Sequence, residues 1–123
     1  MCITKIQLHE INVIRGLIID LASQYTMLLG KLPDEGRLEI LRYIGMANDL
    51  VSSINGFVSG INGKNNGMLC SDASLLLDKA RSVYSELENS ESALFFKTYT
   101  YRLIDSLRKI QVSCCKEVVE LSM

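Results

Sequence analysis

Four cysteines, a single histidine and a few close-set carboxylates are the first residues to weigh for chemistry in this 123-residue sequence. The cysteines are Cys2, Cys70, Cys114 and Cys115, and no C-x-x-C spacing occurs. On a helix, neighbours such as Cys114 and Cys115 diverge by about 100°, so the pair cannot close on one zinc ion as a knuckle does. Cys114 falls on an apolar stripe and reads as a small buried hydrophobe. Cys2 and Cys70 lie near expected helix ends and read as exposed thiols. His9, beside Glu10, sits on a polar helix face whose neighbours are Lys5, Asn12 and Val13. A general base needs an orienting carboxylate or a nucleophile within reach, and that face offers neither. The carboxylate groups Asp34/Glu35/Glu39 and Glu86/Glu88/Glu91 include no Glu-x-x-His motif, which a di-iron bundle requires. The glycines at 56, 60, 63 and 67 are not followed by Lys-Ser or Lys-Thr, so no phosphate loop is expected. The chemistry-bearing residues therefore predict no enzyme, no cofactor and no metal site.

The elements that carry these residues are easier to read. Ile11, Ile14, Ile18, Leu21, Tyr25, Leu28 and Leu32 step three and four apart. So do Ile40, Ile44, Ala47, Val51, Ile54, Val58 and Ile61, and again Phe96, Thr100, Leu103, Leu107, Ile110 and Cys114. Such spacing places one apolar stripe on one face of a long helix, and each stripe needs a neighbour to bury it. The second segment also carries Tyr43, Met46, Leu50 and Phe57, a second stripe beside the first.

Helices are expected from about Thr4 to Gly30, Asp34 to Ile61, Ser71 to Glu88 and Glu91 to Leu121. Gly30 and Pro33 separate the first two, with Asp34 and Glu35 complementing the positive end of the second. Asn62-Gly63 and Asn66-Gly67 read as a loop using positive φ angles. Ser71-Asp72 reads as the cap of the third helix and Ser90 as the cap of the fourth. The whole chain, 1–123, is expected to form one all-α domain, an antiparallel bundle of four helices with up-down-up-down topology. The alternative reading of 89–92 is a kink within one very long helix.

Composition narrows the partners. Hydrophobic residues make up 48% and charged residues 22%, with one Pro and no Trp, a globular rather than disordered balance. A formal net charge of −1 provides no footprint for a polyanion, so no nucleic-acid partner is expected. The most apolar window, Ile11 to Leu29, is broken by Arg15, Asp20, Ser23 and Gln24, which argues against both a signal peptide and a membrane span. A cytoplasmic location with four reduced thiols follows. On the fourth helix Arg102, Asp105, Lys109, Lys116 and Glu120 set opposite charges one turn apart, a self-paired, solvated surface.

In size, expected location and lack of catalytic residues, the chain is similar to small helical immunity and anti-defence proteins, which act by binding one partner protein. That resemblance implies a binding module that neutralises or regulates another protein, for instance by occluding a toxin's active site. The expected docking residues are Asp78, Glu86, Glu88 and Glu91, an acidic end suited to a basic partner, and Tyr101, an aromatic beside Lys97 and Arg108. The competing reading is a structural homodimer in which the surplus apolar face of the second helix, with Gly56 and Gly60, meets a second copy.

Overall fold

All four helices form in the computed structural model, which describes residues 1–122, with side chains through residue 116. They are α1 (Lys5–Leu29), α2 (Asp34–Gly60), α3 (Asn66–Leu87) and α4 (Leu94–Ser122), with short 3-10 turns at Ile61–Gly63 and Glu91–Ala93. No strand occurs among the described residues. No helix among them is long and apolar enough to cross a membrane.

Local sequence sets the helix boundaries. Thr4 opens α1 with a capping box: its hydroxyl accepts from the Gln7 N–H at 3.1 Å, and the Gln7 side chain accepts from the Thr4 N–H at 2.9 Å. Pro33 precedes α2, and Asp34 and Glu35 occupy its first turn. The third helix begins five residues earlier than the expected Ser71, at Asn66. The Asn65 side chain accepts from the Met68 N–H at 2.9 Å and caps the helix there, which draws Asn66 and Gly67 out of the loop. No residue described has a positive φ, so the Asn-Gly pairs do not form the turns expected of them. Ser90 accepts through its backbone carbonyl, from the Ala93 N–H at 3.2 Å, and gives no side-chain cap. Residues 89–92 are a turn, and the long-helix alternative is not realised.

The core gathers the inward stripes. Ile11, Ile14, Ile18, Leu21 and Tyr25 are buried on α1, and Phe96, Thr100, Leu103, Leu107, Ile110 and Cys114 on α4. On α2 the buried set is drawn from both stripes: Ile40, Tyr43, Ala47, Leu50, Ile54 and Phe57, with Ile44, Val51 and Val58 only partly covered. The core direction of α2 therefore runs between its two apolar rows. Thr100 is tolerated in the interior because its hydroxyl donates to the Phe96 carbonyl at 2.7 Å.

The cross-helix contacts run in opposite order along the paired helices. Cys70, Ser74 and Tyr84 of α3 meet Cys115, Gln111 and Tyr101 of α4, each step forward on one helix matched by an equal step back on the other. Glu10 meets Arg102 and Tyr25 meets Phe96 between α1 and α4, while Arg15 meets Asn55 and Tyr25 meets Tyr43 between α1 and α2. Neighbouring helices are thus antiparallel, as expected for a four-helix bundle.

The cysteines depart from the expectation. None is a free thiol: Cys2 is bonded to Cys114 and Cys70 to Cys115. Cys2 is 2% exposed and Cys114 fully buried, so neither an exposed Cys2 thiol nor a merely space-filling Cys114 survives. The physical reason lies in the divergence that excludes a shared zinc ion. Because adjacent α4 side chains point about 100° apart, one reaches the segment before α1 and the other reaches α3. Both bonds sit at the same end of the bundle and tie two chain segments, the one before α1 and the start of α3, to the C-terminal part of α4.

Candidate protein-binding surface

Of the five docking residues expected from sequence, two come together. Tyr101, 56% exposed, and Glu88 line a groove of about 400 Å³ between α3 and α4, with Tyr84, Leu94, Lys97 and Thr98. The Tyr84 and Tyr101 rings lie 6.0 Å apart at 52°, forming one wall, and the Lys97 ammonium donates to the Glu88 carbonyl at 3.4 Å across the end. Asp78, Glu86 and Glu91 are exposed but do not line this groove. Glu86 and Glu88, two residues apart on one helix, project in nearly opposite directions, so the four carboxylates do not converge on a single face.

The residues that sequence reasoning passed over are Leu94 and Phe95. They are 62% and 64% exposed at the start of α4, although the aromatic cluster around them reads largely as core. Phe95 stacks obliquely on Tyr99, centroids 6.3 Å apart, and both border a second groove against α1, with Leu17, Asp20, Leu21 and Gln24. The first half of α4 is therefore a ridge of exposed apolar groups with a depression on each side. The signal was present in the sequence: Leu94 and Phe95 lie off the Phe96 stripe by two and one positions, which turns them outward.

Beneath the ridge, a packed aromatic cluster holds α4 in place. Phe96 lies edge-on to Tyr43 at 6.5 Å and tilted against Tyr25 at the same distance. The Tyr43 hydroxyl contacts Glu39 and, at 3.1 Å, Ser92 in the turn before α4. Burial, with Tyr43 adjacent, pushes the Tyr25 phenol up to about 12. Further along, the Arg102 guanidinium donates two hydrogen bonds to Glu10 of α1, at 2.8 and 3.1 Å. The bond to Glu10 raises the guanidinium above its ordinary value, so it stays charged throughout the accessible range. Asp105 pairs with Lys109 one turn on, at 3.2 Å, as the charge pattern predicts, whereas Arg102 turns to α1. The side chain of Glu120 lies outside the described residues.

His9 borders an α1/α4 groove with Ile6, Gln7, Glu10, Asp105, Ser106 and Lys109. Its side chain makes no hydrogen bond among the described residues. No cluster of three metal-ligating side chains occurs among the described residues. Gly56 lines a fourth cleft, between α2 and α3, with Phe57, Leu75 and Lys79 among its neighbours. No family model matches the chain, and no curated protein or solved structure matches it.

Proposed function

We propose that this chain is a helical protein-binding module that neutralises or regulates a partner, and that it docks through the first half of α4. The observation that carries this reading is the exposure of Leu94, Phe95 and Tyr101 within two turns of a helix whose opposite face is packed into the core. Exposed aromatics on a preorganised element lose little side-chain entropy on binding and are the residue types on which interface energy concentrates. The flanking grooves, about 400 and 220 Å³, supply recesses for a partner's own anchors. Occlusion of a toxin's active site is one form this action takes. The acidic residues Asp78, Glu86 and Glu91 then lie outside the contact, and Glu88 at its edge.

The paired cysteines support a place of action in an oxidising compartment rather than the cytosol, because thiol pools in the cytosol keep such pairs reduced. Acid quenching of intact cells followed by alkylation in denaturant checks this: protection of all four cysteines is expected, and modification of all four would return the protein to the cytosol.

The functional test is co-expression with the product of an adjacent toxin gene. Co-purification and protection of the host are expected, with both lost in the Phe95→Glu/Tyr101→Glu double variant. A toxin that neither co-purifies with the chain nor is silenced by it would remove the immunity reading.

A further inference from the structure

On α4, Leu94, Thr98, Tyr101, Asp105, Arg108 and Val112 step four and three apart and are all exposed. This is a second stripe with the same rhythm as the buried row that begins at Phe96, displaced by half a turn. One α-helix therefore carries two opposed stripes, one filled by the bundle and one open. The open stripe spans 18 residue steps from Leu94 to Val112, about 27 Å, the length of five helical turns. Its apolar members stand near the two ends: Leu94 and Tyr101 in one groove, and Val112 exposed beside Asp105, Arg108 and Lys109.

Charge selects among possible occupants. Between Leu94 and Lys116 the basic residues are Lys97, Arg102, Arg108, Lys109 and Lys116, and the one acid is Asp105. Lys97 and Arg108 lie on one side of the stripe, Arg102 and Lys109 on the other. Glu10 engages Arg102, Asp105 engages Lys109, and Glu88 sits at the groove's end. Arg108 has neither an ion pair nor a hydrogen bond among the described residues. Pairing with a second copy works against these charges: antiparallel pairing about the stripe's midpoint sets Arg108 beside Lys97 of the other copy, and parallel pairing sets Arg108 against itself.

We infer that the outer stripe of α4 receives an amphipathic helix of a partner protein, with apolar residues at three-four spacing and acidic residues along its flanks. The partner's apolar side chains enter the groove at Leu94–Tyr101 and pack on exposed Val112, and its carboxylates meet Arg108 and the outer guanidinium and ammonium groups. Asp105, at the middle of the stripe, favours a single basic residue opposite. This inference rests on the reading of the chain as a protein-binding module and names that module's ligand.

The probe is a three-heptad synthetic peptide with Leu at positions a and d and Glu at e and g, titrated by fluorescence anisotropy onto the intact disulfide-bonded chain. A control peptide carries Lys at e and g. The Glu peptide is expected to bind at least about tenfold more tightly than the Lys peptide, with the preference reversed by Arg108→Glu. Tyr101→Ala is expected to weaken the Glu peptide about tenfold without changing the helical circular dichroism. Equal affinity for both peptides, or no binding of either, overturns the inference. So does a concentration-dependent doubling of mass abolished by Tyr101→Ala, which assigns the stripe to a second copy. Binding of anionic phosphatidylglycerol vesicles in place of the peptide assigns it to a membrane surface and also overturns it. If a cognate toxin still co-purifies with the Tyr101→Ala/Arg108→Glu variant, the stripe fails as the docking site while the binding-module reading stands.

Discussion

The seam between α3 and α4 and the seam between α2 and α3 use the same helix, α3, in opposite ways. Against α4, α3 packs along its whole length: a disulfide at Cys70, a hydrogen bond from Gln111 to Ser74 at 2.9 Å, and ring contact at Tyr84. Against α2, it packs far less, held at the surface by Lys79–Asp49 at 2.8 Å, while Lys64 in the connecting segment pairs with Asp72. A cleft of about 310 Å³ opens there, floored by Phe57 and Leu76 and rimmed by Ser53 and Gly56. The connection between α2 and α3 is nevertheless short, through Ile61–Gly63 and two further residues. Closeness along the chain therefore does not decide which seam is tight. Side chains that interdigitate and a covalent bond do so, and small or charged residues such as Gly56, Asp49 and Lys79 leave the other seam shallow.

The contrast is broken most strongly at the disulfide. Replacing Cys70 and Cys115 together with Ser removes a cross-link between residues 45 apart in sequence. Chain-entropy arithmetic sets the expected loss at about 4 kcal/mol, read by chemical denaturation. The double variant is required because a lone Cys115 thiol would lie next to the Cys2–Cys114 bond and exchange with it. A loss below about 1 kcal/mol would mean that side-chain packing alone holds α3 to α4.

A smaller effect is expected at Gly56, where an added Cβ meets nothing within 4 Å. Gly56→Ala should stabilise α2 by about 0.5–1 kcal/mol, since the backbone is already helical and only unfolded-state entropy changes. Gly60→Ala should gain less, because its Cβ would come within 3.1 Å of the Lys64 side chain and press on the ion pair with Asp72. Equal gains at the two sites would show that Lys64 yields freely. The smallest effect belongs to Lys79→Ala, expected to cost under about 0.5 kcal/mol and to vanish in high salt, as for other exposed ion pairs. A cost above about 2 kcal/mol would make the α2/α3 seam far tighter than its surface contacts indicate.

Much of this architecture was legible from residue spacing. The rows from Ile11 to Tyr25 and from Phe96 to Cys114 mark the buried faces of α1 and α4 because a helical period admits only one direction for them, whereas Leu28 on the first row is exposed and Leu32 lies beyond the end of α1. The row on α2 was legible as apolar but not as to direction, since Tyr43, Leu50 and Phe57 compete with Ile44, Val51 and Val58 for the interior. Tyr101 was legible as an exposed aromatic because it falls off the core period and beside basic residues. Its contact with Tyr84 and the groove it closes were not, because they depend on the register of α3 against α4. Asn65 as the cap of α3 was hidden by a second good candidate, Ser71, five residues into the helix.

Four amphipathic helices that bury their stripes in one bundle follow from residue spacing alone, because local spacing and hydrophobic burial act at every register of packing. What Cys2 and Cys70 do depends instead on how the helices pack. Cys2 reaches Cys114 across 112 residues of sequence, and whether two sulfur atoms meet depends on where helix ends land relative to one another. That placement also set Tyr84 of α3 against Tyr101 and formed the groove beside the open stripe of α4.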